Sequence, residues 1–133
     1  MSGRRTVASM LAALALAGSA LPTAAATLPT QAGQCSATTI AKIGTRLVDG
    51  TTNQPIPGSG SAVNFANGGY QVSYDTLPAI TASRVGDPVT MCLISIPQNC
   101  PPGDARGKMY KTTNRRTHGS WTLPDSEHSC GGA

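Results

Sequence analysis

Residues 62–75 read Ala-Val-Asn-Phe-Ala-Asn-Gly-Gly-Tyr-Gln-Val-Ser-Tyr-Asp, and this stretch decides the fold. Apolar side chains alternate with polar ones on both sides of the Asn-Gly-Gly turn at 67–69. Such alternation is typical of a β-strand with one buried face, and Asn-Gly supplies the positive φ angles that a tight hairpin turn requires. The stretch therefore predicts a β-hairpin, and Pro78 ends it.

Further strands are predicted on the C-terminal side of this hairpin. Residues 89–96 read Val-Thr-Met-Cys-Leu-Ile-Ser-Ile, an apolar and β-branched run that predicts a central strand covered on both faces. Residues 108–113 and 120–123 predict a second hairpin, in which Tyr110 and Trp121 pack across the strand pair.

The N-terminal side of the first hairpin gives an ambiguous pattern. In residues 39–48 the spacing of Ile40, Ile43 and Leu47 fits a helix, whereas Gly44 and the β-branched content favour a strand. Residues 49–61 contain many turn-forming residues and predict a loop. The whole pattern predicts an all-β protein, a small antiparallel sandwich or open barrel of about five short strands.

The first 26 residues have the pattern of a secretory signal peptide. Arg4 and Arg5 precede an apolar run over 7–21, and the small residues Ala24, Ala25 and Ala26 follow it. The run is too short for the roughly 20 residues of a membrane span, so we expect cleavage after residue 26 and a mature chain without a transmembrane segment. Residues 27–34 are predicted to be a disordered lead-in, and residues 35–133 a single disulfide-stabilised β domain.

The cysteine count and the charge also fit an exported protein. Loss of the two leader arginines lowers the formal net charge from +4 to +2. With only one Phe, three Tyr and one Trp, the core is thin and needs covalent support. Four cysteines in an oxidising compartment predict two disulfides, in any of three pairings. Of these pairings we favour a bond between Cys100 and Cys130, because it holds the C-terminus in place. The other two cysteines are Cys35 and Cys92.

Three stretches resemble small secreted proteins of unknown function from Gram-negative bacteria. They are NGGYQVSYD at 67–75, GDPVTMCLISIPQNCPPGD at 86–104 and WTLPDSEHSCGGA at 121–133. The resemblance implies a periplasmic or extracellular location. It implies no activity and carries no functional residue onto this chain.

The acidic residues give little support to an enzyme. Most of them stand beside Gly or Pro in predicted turns, which explains them without catalysis. The strongest catalytic constellation is Asp125, Glu127 and His128, with His118 expected nearby if the second hairpin pairs. No Cys or His spacing typical of a metal site is present. We therefore predict no catalytic residue, no metal and no cofactor.

Positive charge is concentrated in the second hairpin. Residues 105–120 contain five cations and no acid. This pattern favours a binding module that docks on an anionic envelope glycan, a lipid headgroup or an acidic protein, and export argues against nucleic acid. The predicted binding residues are Arg106, Lys108, Tyr110, Lys111, Arg115, Arg116 and Trp121. The alternative function is a small secreted hydrolase, or an enzyme inhibitor that uses the rigid Cys-Pro-Pro-Gly-Asp loop at 100–104.

Overall fold

The computed structural model describes residues 3, 9–18 and 27–132. Six strands and one helical turn follow in order: β1 (Cys35–Thr45), β2 (Ser61–Phe65), β3 (Tyr70–Ser73), α1 (Pro78–Thr81), β4 (Pro88–Ser95), β5 (Met109–Asn114) and β6 (Ser120–Pro124). They form one antiparallel sheet in the order β3-β2-β1-β4-β5-β6, curled into a half-barrel. The predicted all-β fold is confirmed.

Both predicted hairpins are present. β2 pairs with β3 so that Asn64 is opposite Tyr70, and β5 pairs with β6 so that Thr112 is opposite Trp121. In the first turn Gly68 has a φ of 87°, while the Asn67 side chain accepts a hydrogen bond from the Gly69 N–H at 3.0 Å. The turn lies where the sequence predicts it, but only Gly68 has a positive φ and Asn67 does not.

The ambiguous stretch at 39–48 is a strand through Thr45, and its β1 is the longest strand of the sheet. The first half of β1 pairs with β4, from Cys35 opposite Cys92 to Thr39 opposite Pro88. The second half pairs with β2, and the register shifts between Ile40 and Lys42. A bulge of this kind bends a strand, so one strand serves two half-sheets and curls the sheet between them.

The core fills the concave side of this curl. The buried apolar residues that pack together there are Ile40, Val63, Phe65, Ile80, Val89, Met91, Leu93, Tyr110 and Trp121. The prediction that residues 89–96 are covered on both faces is wrong. Val89, Met91 and Leu93 are fully buried, but Ile94 on the opposite face is 50% exposed. The strand is central in the sheet, but its convex face is open to solvent. A continuous apolar run therefore does not mean that both faces are buried here.

A buried glutamine joins the two edges of the half-barrel. Gln71 on β3 is fully buried, and its amide nitrogen donates to the carbonyl oxygens of Tyr110 (2.8 Å) and Leu123 (3.1 Å). Its amide oxygen accepts from the Thr112 hydroxyl (2.6 Å) and the Trp121 indole (2.9 Å). All donors and acceptors of the amide are thus used, as burial of a polar group demands.

The segment 27–34 differs from the disordered lead-in that the sequence predicts. Pro29 is buried and Leu28 packs against the core. The Gly33 N–H donates to the Leu93 carbonyl at 2.8 Å, and the Gln34 carbonyl accepts from the Leu93 N–H at 2.9 Å. Only the side chains of Leu28 and Pro29 pack against the domain, and backbone hydrogen bonds hold the other residues of the segment. The segment therefore has no periodic apolar pattern in its sequence.

The N-terminal residues that the structure describes, 9–18, have no regular structure and are exposed. The predicted cleavage site at 24–26 lies outside the described residues. No helix in the described part of the chain is both long and apolar enough to span a membrane.

Two disulfides staple the sheet and the C-terminal tail. Cys35–Cys92 joins β1 to β4 at directly opposite positions, and Cys100–Cys130 joins the loop after β4 to the tail, which settles the pairing. No described cysteine is free. Such bonds fit an extracellular or otherwise oxidising compartment.

Replacing Gln71 tests how much the buried amide stabilises the fold. We expect Gln71→Leu to lower the free energy of unfolding by about 2–4 kcal/mol, because it leaves the Trp121 and Thr112 donors without their acceptor. Urea unfolding of the oxidised protein, followed by Trp121 fluorescence, measures the change. The exposed Gln54 is the matched control, and Gln54→Leu should change stability by less than about 0.5 kcal/mol. Equal effects of the two substitutions would contradict the role of Gln71.

Candidate binding surface

One end of the half-barrel is organised around a buried carboxylate. Asp87 lies in the loop between α1 and β4, and its side chain is 6% exposed. One of its oxygens accepts from the Arg84 backbone N–H (2.8 Å), the Asn114 amide (2.8 Å) and the Arg116 guanidinium (2.9 Å). The other accepts from the Arg116 Nε at 2.6 Å. Asp87 therefore fastens the loop before β4 to the turn between β5 and β6.

Asn114 completes this junction. The side chain is fully buried at the end of β5, and its amide nitrogen also donates to the Ser83 hydroxyl at 2.9 Å. Its amide oxygen accepts from the backbone N–H groups of Arg116 (2.9 Å) and Thr117 (3.2 Å). The turn at 115–119 is thus held by hydrogen bonds to the buried side chains of Asn114 and Asp87.

Three arginines meet at this end, and we call Arg84, Arg115 and Arg116 the arginine end. Arg116 is paired with Asp87, and its guanidinium also donates to the Ala82 carbonyl at 3.1 Å. The Arg115 backbone N–H donates to the Pro88 carbonyl at 2.8 Å, which places this residue beside the same loop. Arg84 and Arg115 are exposed, and neither side chain forms an ion pair or hydrogen bond within the described part of the chain.

The electrostatics of the pair follow from this geometry. Hydrogen bonds from Arg116, and then from Asn114 and the Arg84 backbone, hold the pKa of Asp87 well below its ordinary range, although burial opposes them. Asp87 in turn raises the pKa of Arg116. The carboxylate neutralises one arginine, and the charges of Arg84 and Arg115 remain available to solvent or a partner.

The residues of the predicted basic hairpin are divided between core and surface. Tyr110 and Trp121 are 1% and 5% exposed and belong to the core, so neither side chain is on the surface. Arg106 donates to Asp104 through two nitrogens, at 2.9 and 3.0 Å, and to the Gly132 carbonyl. Lys108 is half-buried, whereas Lys111 lies exposed on the convex face of β5.

Arg84 as a surface residue of this end and the role of Asp87 were not predicted from the sequence. Asp87 precedes Pro88, and a turn explained it without reference to any partner. A count of charges along residues 105–120 could not show that Arg116 pairs with an acid 29 residues away. No signal in the sequence alone brings Arg84 and Arg115 together.

The constellation considered for catalysis is not assembled. His118 precedes β6 and His128 follows it. The five residues of this extended strand therefore keep the two histidines apart. Asp125 accepts from the backbone N–H groups of Gly107 and Lys108, and Glu127 pairs with Arg46 at 3.4 Å. Within the described residues, no three His, Cys, Asp or Glu side chains form a group that could hold a metal ion.

The loop considered for enzyme inhibition is tied to the C-terminal tail. Cys100 bonds to Cys130, and Asp104 accepts from the Arg106 guanidinium and from the Gly131 N–H at 2.9 Å. These bonds lower the pKa of Asp104. The carboxylate of the loop is therefore bonded within the protein, and Pro101, Pro102 and Gly103 are the exposed residues of the loop.

The Asp87 junction makes stability depend on pH in a defined direction. A carboxyl whose pKa is lowered by folding stabilises the protein above its unfolded pKa of about 4, and this stabilisation is lost as the pH falls. We expect Asp87→Asn to be less stable than the unchanged protein at pH 7, with a difference that shrinks from about pH 5 to about pH 2. Urea unfolding at a series of pH values measures it. A difference that stays constant over this range would contradict the assignment.

No protein family matches the sequence, and no curated protein or solved structure matches the chain. The resemblance to small secreted proteins of Gram-negative bacteria therefore stays a prediction.

Proposed function

We propose that this protein is a periplasmic or secreted binding domain, without catalytic activity, that recognises an anionic partner through the arginine end. The observation that carries the proposal is the pair of exposed arginines, Arg84 and Arg115, held beside Arg116 by the buried Asp87. The signal-peptide pattern of residues 1–26 and the two disulfides support export.

Binding is favoured over catalysis because nearly all of the acids already have structural partners. A general acid or base needs a group that is free to exchange a proton with its substrate. Among the acids of the domain, three pair with arginines and two accept backbone N–H bonds: Asp87, Asp104 and Glu127, and then Asp49 and Asp125.

The chemistry of arginine indicates the partner. A guanidinium is always charged at physiological pH and matches a carboxylate or phosphate with two parallel hydrogen bonds. Two such groups on one fixed end suit a partner with repeated negative charges. We favour an anionic envelope glycan, since uronate carboxylates recur along such a chain and exposed arginines can contact more than one of them.

Neutralising the two exposed arginines tests the proposal. We expect Arg84→Ser/Arg115→Ser to weaken binding to polygalacturonate about three- to tenfold, the loss expected for two partly solvated ion pairs. Neither change touches the Asp87–Arg116 pair, so the fold should persist. Calorimetric titration at low salt measures the affinity, with neutral dextran as the blank polymer.

A matched charge control separates recognition from net charge. Lys108→Ser/Lys111→Ser also removes two positive charges, but from β5 and the residue before it instead of the turn after it, and we expect it to retain most of the binding. Equal losses from both double variants would mean non-specific attraction. Binding to anionic lipid vesicles but not to polygalacturonate would contradict the choice of a glycan.

A further inference from the structure

A small hollow lies on the half of the sheet opposite the arginine end. The convex face of β1, β2 and β3 and the loop after β1 enclose a hollow of about 290 Å³. Its floor is made by Gly44 and Ala62, which are directly opposite each other on β1 and β2. Its rim is held by a bridge between Val48 and Pro55. The volume is near the lower end for small-molecule sites.

The floor is open because its residues are small. A Cβ added at Gly44 would meet no atom within 4 Å, and the φ of this residue is not positive. Neither packing nor backbone conformation therefore requires glycine at this position. The space above Gly44 is open, with no atom of the described chain in it.

Polar side chains converge on the hollow from three strands and the rim. Lys42, Asn64 and Tyr70 are neighbours in register across β1, β2 and β3, and Asn53 lines the hollow from the loop. None of these four side chains forms a hydrogen bond or ion pair with the described residues. By contrast Asp49, in the same loop, is used to accept from the N–H groups of Thr51 and Thr52.

The charge of the hollow has one sign. Among the described residues, Lys42 is the only charged one that lines it. Burial, and then the negative charge of Glu127, raise the pKa of Tyr70. Glu127 itself pairs with Arg46 and does not line the hollow. Tyr70 consequently keeps its O–H as a donor at neutral pH. An ammonium, a phenol and two amides thus surround a floor of small apolar residues.

We propose that this hollow binds a small organic carboxylate, with its carboxylate on Lys42 and Tyr70 and its compact apolar part over Gly44 and Ala62 between Val48 and Pro55. Hydrogen bonds from charged donors are the stronger ones for a carboxylate, and the apolar walls suit a planar or short aliphatic group. The site does not use the arginine end, so it stands or falls independently of the proposed glycan binding.

Titration with benzoate, followed by backbone amide shifts in two-dimensional NMR spectra, tests the site. We expect benzoate to shift the signals of Lys42, Gly44, Asn64 and Tyr70, with a dissociation constant of about 1 mM or below. Benzamide has almost the same shape without the charge and should bind about tenfold more weakly or not at all. Arg84→Ser/Arg115→Ser should leave benzoate binding unchanged.

Three variants locate the binding. Lys42→Gln should weaken benzoate about tenfold, whereas Lys111→Gln, which removes the same charge from the convex face of β5, should not. Gly44→Val should abolish binding by filling the hollow, and its spectrum should otherwise remain that of the folded protein. The proposal is overturned if benzoate causes no shifts at about 10 mM, a tenfold excess over that constant. Equal binding of benzamide, or indifference to Lys42→Gln and Gly44→Val, would overturn it as well.

Discussion

The amide of Gln71 is the contact on which the rest of the structure depends. A sheet curled into a half-barrel leaves two edge strands, and each presents polar backbone groups that need partners. Here the edges, β3 and β6, contact each other, and one fully buried side chain bonds to both β5 and β6 from β3. The same amide accepts from the Trp121 indole, so the largest side chain of a thin core is fixed by it.

The bend of β1 gives each proposed site its place. The first half of β1 belongs with β4, β5 and β6, and the turn between β5 and β6 carries the arginine end. The second half belongs with β2 and β3, whose convex face carries the hollow. At the arginine end a buried polar residue supports a surface one, since Asp87 pairs with Arg116. Because the buried core residues line neither site, substitutions at either surface leave the packing of the core unchanged.

The sequence was sufficient for the local structure and insufficient for the long-range contacts. Alternation and the Asn-Gly turn correctly predicted the first hairpin, and the two strand runs at 108–113 and 120–123 the second, because these features depend on neighbouring residues. It could not decide residues 39–48, where β1 changes partner at a bulge and the alternation is broken. The prediction that Tyr110 and Trp121 pack together is confirmed. The prediction that both lie on the binding surface is wrong, because both are buried in the core. Lys42 and Tyr70 come together only through strand register, which no local pattern reveals.

Hydrogen exchange of the Trp121 indole tests the central claim most directly. The chain has one tryptophan, so its indole N–H gives a single resonance that needs no further assignment. If Gln71 joins the two edges as described, this proton is buried and bonded at 2.9 Å, and it should exchange only on global unfolding, as slowly as the amides of β4. Exchange within minutes, while the β4 amides stay protected, would show that the two edges separate and would contradict the account.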